Sequence, residues 1–315
     1  MKTDKQNSGT STGITRRGLL KGTAAAVAAA VPGAAHAGIW RRRPGRAGTR
    51  LVATKGNIKH SVCDWCFVND CSVKPMTLEQ LACNASTMGI ESVELVKPKD
   101  WHILKKYGLV CAMAGSHGFV KGFNDKANHQ MCIDKIKQAV DDCAEAGFPS
   151  VITFSGFRND IPDDVGLENT VEGLKKVIGY AERKQVNLCM EVLNSRVDVP
   201  MKGHPGYMGD TVEWVGEVCK RISSPRMTML FDIYHIQIMQ GDIITRIRKW
   251  HKYIGHYHTA GVPGRNELDD NQEINYPPIM RTIVETGFKG YVAHEFIPTR
   301  DPLAGLREAV RLCDV

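Results

Sequence analysis

No apolar run in this 315-residue chain reaches the ~20 residues a membrane-spanning helix needs; the Ala/Val stretch over residues 23–31 falls well short. Stable membrane insertion is therefore not expected. A glycine-rich G-x-G-x-x-G loop is also missing after the first strand-like segment, which argues against a dinucleotide-binding fold. Charge of one sign is scarce where it would matter. The formal net charge is +7, but residues 1–37 carry +4 of it, and much of the remainder lies in the short run WRRRPGR. A near-neutral remainder gives no support to nucleic-acid binding. Of ten cysteines, only Cys63, Cys66 and Cys71 cluster, in SVCDWCFVNDC, and neither a fourth ligand nor a second close pair accompanies them. Structural zinc is thus not indicated. Buried free thiols are the leading reading of the cluster, ahead of a disulfide formed after export and, last, a metal site.

What is present begins with a targeting signature. TRRGLLKG precedes TAAAVAAAVPGAAHAG: a twin arginine, a weakly apolar stretch and a small-x-small site at Ala35-His36-Ala37. Residues 1–37 are read as a twin-arginine export signal, which makes the export machinery a partner and the periplasm the destination. Residues 38–56 are Arg/Gly-rich and read as a basic linker. Residues 57–315 are read as one catalytic domain, for which a homo-oligomer is compatible.

Within that domain eight short apolar runs alternate with eight amphipathic helical patterns. The runs are IKHSVCDW, ESVELV, LVCAMAG, SVITFSG, NLCMEVL, MTMLFDIY, IGHYHTA and GYVAHEF. Several helical patterns close on glycine, at Gly89, Gly147 and Gly287. Strict alternation implies parallel strands joined by right-handed crossovers, and eight units fit an α/β fold of the single (β/α)8 TIM-barrel type. Active-site groups of such a barrel lie at the C-terminal ends of several strands.

Four ionisable residues fall there. Glu191 ends the fifth run, Asp232 the sixth, His258 the seventh and Glu295 the eighth. A carboxylate closing an apolar strand is costly unless something compensates its charge. Three carboxylates and one imidazole with open positions suit one divalent cation, Mn²⁺ or Mg²⁺, with Co²⁺ also accommodated. Glu191 and Glu295 come from non-adjacent strands and can flank a substrate, one removing a proton beside a carbonyl and the other returning one to the neighbouring carbon. His235 and Arg265 are candidates for holding substrate oxygens, the guanidinium in bidentate fashion. Weaker candidates for substrate binding are Asn194, Arg196, Trp65 and His117. Trp65 and Phe67 form either an apolar wall or core, His256 lies one layer below His258, and an ordinary loop role is as good a reading of Asn194 and Arg196.

Glu in EVLN, Asp-x-x-His in FDIYH, G-H-x-H followed by PGR, and a Glu in the last strand together resemble the hydroxypyruvate isomerase and ketose 3-epimerase branch of the xylose isomerase-like barrels. EVLNSRVDVPMKGHPGYM and VPGRNELDDNQEINYPPIM extend the resemblance, which covers roughly residues 58–313. It implies that Glu191 and Glu295 are acid/base catalysts and metal ligands, that Asp232 and His258 complete the metal site, and that the substrate is a small sugar or sugar acid. The chain departs from the isomerase branch at His258, where Gln is common, and at Val192, where Pro is usual; His258 is the epimerase choice. An endonuclease IV-like nuclease would need an Asp-x-His where this chain has VPGRNE, and a non-catalytic sugar-binding protein would not need both glutamates.

Overall fold

The computed structural model describes residues 51–68 and 72–315. Seven parallel strands run in chain order: β1 (Lys59–Cys63), β2 (Ser92–Glu94), β3 (Ser150–Thr153), β4 (Asn187–Glu191), β5 (Met227–Asp232), β6 (Ile254–Thr259) and β7 (Tyr291–His294). Their spatial order is β2-β1-β7-β6-β5-β4-β3, so first and last strands pair and the sheet curls on itself. The expected strand LVCAMAG is not a regular one. It fills the gap between β2 and β3 through two isolated bridges, Ser92 to Val110 and Ala114 to Val151. Between them the Ala112 N–H donates to the Ser92 hydroxyl (2.9 Å) instead of a ladder carbonyl, and the Cys111 thiol donates to the Met113 carbonyl (3.2 Å). Side chains intercept the backbone donors and acceptors that a continuous strand would use.

Helices cover the outside of the curl. The helix Val212–Ile222 buries Val212, Val215, Val218, Cys219 and Ile222, the spacing that lays one stripe against the sheet. Gly216 on the same helix lets Trp250 approach, since a Cβ there would lie 2.3 Å from the indole Cζ3. Thr77 and Gln80 close a capping box at the start of Leu78–Met88, and Gly89 ends that helix in the left-handed region at φ +85°. Three of the described helices were not evident from sequence pattern: Trp65–Val68, where the strand-like run IKHSVCDW ends, Trp101–Lys106 and Ile233–Met239. Ile233–Met239 starts because the Asp232 carboxylate accepts the His235 N–H (3.2 Å), so one residue both ends β5 and caps a helix.

Residues 1–37 and most of 38–56, read as export signal and linker, lie outside the described residues, as does Cys71. Cys63 and Cys66 are buried.

Candidate active site

Strand ends supply the site, as the barrel architecture requires. β4 carries Glu191, β5 Asp232, β6 His258, and Glu295 follows β7 directly. Register places Asp232 opposite His258 and Leu230 opposite His256, so the two histidines of IGHYHTA share the inner face. One ligand-capable atom from each of Glu191, Asp232, His258 and Glu295 lies within 4.8 Å of the others, all buried. His258 Nδ1 is 2.8 Å from Glu295 Oε2, 3.4 Å from Glu191 Oε1 and 3.9 Å from Asp232 Oδ2.

Glu94 was missed by the sequence reading. It ends β2, fully buried, and its Oε1 lies 2.9 Å from His258 Nε2 and 3.0 Å from His256 Nε2. Ser61 donates to its other oxygen (2.6 Å). Burial alone would raise the Glu94 carboxyl, but the two imidazoles win and hold it down to about 2. An ionised Glu94 fixes the His258 ring with Nε2 toward it and Nδ1 toward the other three carboxylates. The signal that could have found it was the same strand-end carboxylate rule, applied to ESVELV.

Around the cluster the supporting contacts are directional. Trp65 Nε1 donates to Glu295 Oε1 (2.8 Å), and Arg265 Nη2 donates to Glu295 Oε2. The guanidinium lies over the Trp65 ring at 5.1 Å and the Tyr234 ring at 5.4 Å, while Nη1 donates to the Met201 carbonyl (2.8 Å). Arg265 sits at φ +59°, a left-handed conformation that a non-glycine residue holds only where the surroundings fix it. The Asn194 backbone N–H donates to His235 Nδ1 (3.1 Å), which leaves the ring proton on Nε2, 3.6 Å from Asp232 Oδ2. Trp65, Glu191, Arg265 and Glu295 line a cavity of about 490 Å³; Asp232, His235, His258 and Asn194 are buried around them. Arg196 and His117 do not line it. Arg196 is exposed and donates to the Ile238 carbonyl (3.0 Å), and His117 bonds Thr153 (2.9 Å) with its ring edge-on to Phe154.

Buried negative groups outnumber fixed positive ones in this cluster. Four buried carboxylates, Glu94 included, face one guanidinium and the His258 imidazole, whose pKa burial would lower but Glu295 raises well above its ordinary value. Burial pushes Asp232 up to about 7 against the pull of Arg265, and burial likewise raises Glu191. Glu295 goes the other way, held well below the usual carboxylate range because Arg265 and His258 outweigh its burial. Glu191 Oε1, Asp232 Oδ2 and His235 Nε2 are buried without a hydrogen-bond partner. Carboxylate oxygens that lack hydrogen-bond partners and converge on one imidazole nitrogen fit a divalent cation, which would supply the missing partners.

Residues 84–314 match the family model for xylose isomerase-like TIM barrels, and the chain belongs to that family. Among curated relatives, it is 30% identical over 136 residues to 2-oxo-tetronate isomerase from Cupriavidus necator, covering 43% of this chain and 50% of that protein. It is 27% identical over 137 residues to hydroxypyruvate isomerase from Escherichia coli, covering 44% and 50%. The chain thus spans about half the length of these two relatives. A solved structure described as AP endonuclease, family 2 from Brucella melitensis superposes with TM-score 0.68 at 22% identity, over 79% of this chain and 97% of that one. A D-psicose 3-epimerase does so with TM-score 0.63 at 15% identity, over 81% and 96%. These two likenesses concern the fold.

Proposed function

We propose that this chain is a divalent-metal-dependent isomerase of the hydroxypyruvate isomerase type, acting on a small sugar or sugar acid. The observation that carries the reading is the convergence of Glu191, Asp232, Glu295 and the Nδ1 of His258 at the rim of a cavity, with carboxylate oxygens left unpaired. The names of the curated relatives support the same reaction class. Those four residues would hold the ion, Mn²⁺ or Mg²⁺, which when bound supplies positive charge to the carbonyl and hydroxyl oxygens of the substrate. Glu191 and Glu295 are the acid/base pair. One carboxylate takes the proton from the hydroxyl-bearing carbon, the electron pair passes into an enediol shared with the carbonyl carbon, and the other carboxyl returns a proton to that second carbon. The hydroxyl proton moves from one substrate oxygen to the other, so the product is an isomer with nothing gained or lost. Arg265 and His235 orient the substrate oxygens. The export reading of residues 1–37 would place the activity outside the cytoplasm.

Epimerisation at one carbon is the second reading, and His258 favours it. One of the same two glutamates would then remove a proton from one face of a carbon, and the other would give its own proton to the opposite face.

The test is solvent-deuterium incorporation, followed by NMR, into hydroxypyruvate and a panel of ketoses with Mn²⁺ or Mg²⁺ present. Exchange with a shifted carbonyl means isomerase; exchange with inverted configuration at one carbon means epimerase. No deuterium in any substrate removes the proton-transfer mechanism.

Glu94 yields a separate prediction. Because it acts on the ion through His258, Glu94→Gln should weaken Mn²⁺ binding by about 10- to 100-fold, measured calorimetrically, with a folded circular-dichroism spectrum. Unchanged affinity would show that His258 is oriented without it.

A further inference from the structure

The cavity is two-sided in its chemistry. At one end stand Glu191, Glu295 and Arg265. Much of the remaining lining is apolar, Leu95, Phe119, Ile152, Phe154, Phe157 and Leu193 among it. This split follows the barrel itself: the interior between β2 and β4 is a separate apolar cluster that includes Ile152, Phe154 and Leu193. The strands from β4 round to β2 instead carry the carboxylates and imidazoles. Three phenylalanine rings form a continuous face: Phe119 lies 6.1 Å from Phe154 and 6.2 Å from Phe157, centroid to centroid. His204, on the loop that closes the cavity, lies against this face at 4.3 Å from the Phe119 ring, and burial lowers its imidazole to about 4, so it is neutral.

Such a wall is a poor partner for a polyol. Each hydroxyl placed against it gives up water without gaining a hydrogen bond, which costs roughly tenfold in binding. A three- or four-carbon acid held at the charged end would leave the aromatic end unfilled. The volume of about 490 Å³ instead falls within the ~300–1,000 Å³ of pockets that enclose drug-sized ligands. We propose that the substrate joins a hydroxy-carbonyl head, held at Glu191, Glu295 and Arg265, to an apolar arm of aryl size that lies on Phe119, Phe154 and Phe157. The proposal rests on the isomerase reading for the chemistry of the head and departs from it on the substrate, whose arm is aryl in place of a hydroxylated sugar chain.

The experiment compares two α-hydroxy ketones that share the same head, one carrying a phenyl group on the adjoining carbon chain and the other a hydroxylated chain of similar length. Full-length protein with Mn²⁺ is assayed for solvent-deuterium exchange into each. Burial of a phenyl group predicts kcat/KM about 10- to 100-fold higher for the aryl compound. Phe119→Asn, on a half-buried loop position, should bring the ratio of the two rates toward one; equal rates in the wild type, or a ratio unmoved by Phe119→Asn, would overturn the proposal. If neither compound exchanges, the proton-transfer reading fails, and the arm is then decided on binding by calorimetry. Tighter binding of the phenyl compound, weakened in Phe119→Asn, keeps the arm; equal or weaker binding removes it.

Discussion

Glu295→Gln is expected to lower solvent-deuterium exchange by about 10³-fold or more while leaving the protein folded. The amide keeps the volume of the side chain and can still accept from Trp65 Nε1, the contact now made at 2.8 Å. It cannot take a proton from carbon, and loss of a positioned acid/base group costs about 10²- to 10⁴-fold by itself. A weaker hold on the ion adds to this. Stability should change little, because two effects oppose each other. Arg265 loses one of its carboxylate partners but retains Asp232, 3.6 Å from Nη2, and a cluster crowded with buried negative charge loses one. NMR exchange rates and a thermal melt on the same sample measure both. Exchange within tenfold of wild type would remove Glu295 from the chemistry.

Acid should destabilise the fold through a buried histidine that does not line the cavity. His60 is fully buried in β1, its ring stacked on His294 at 5.4 Å and its Nδ1 3.2 Å from His294 Nε2. Burial lowers its pKa to about 4, with the nearby Asp314 carboxylate pulling weakly the other way. In the unfolded chain the same imidazole titrates near 6.5. Between those values the unfolded state binds a proton that the folded state refuses, so the contribution of His60 is complete above pH ~6.5 and is lost as pH drops toward 4. One proton is worth about 1.4 kcal/mol per pH unit, or about 3 kcal/mol across the window. Raised carboxylates such as Asp232 act in the opposite direction, so the readout is the difference between wild type and His60→Gln in urea unfolding at pH 7.5, 6, 5 and 4.5: the two slopes should differ by one proton, with the variant losing less stability toward acid. Identical slopes for the two proteins would contradict the assignment.

The strand ends were legible because each interrupts an apolar run with a charge that must be compensated. That rule found Glu191, Asp232, His258 and Glu295, which the structure brings within 4.8 Å of one another. It applied equally to Glu94, but β2 is only three residues long and ESVELV offers two acids on opposite faces, Glu91 lying just before the strand and exposed to solvent. LVCAMAG has the apolar pattern of a strand whether or not its ladder is continuous; the interruption depends on a hydroxyl from Ser92, twenty residues before the Ala112 N–H it accepts from. Loop residues were the least legible. Asn194 turns inward to His235 while Arg196, two positions on, turns out to Ile238, and nothing in the local pattern separates them. The aromatic wall was invisible for the same reason, since Phe119 and Phe157 lie on loops with no periodicity to assign them a face.

The central claim is that one ion, held by Glu191, Asp232, His258 and Glu295, serves proton transfer between the two glutamates. It is tested most directly by adding Mn²⁺ stepwise to metal-stripped protein at a concentration well above the dissociation constant and recording the deuterium-exchange rate at each step. The rate should rise linearly to one equivalent per chain and then stay flat. Full exchange in the stripped protein, or a rate still rising past one equivalent, would contradict it.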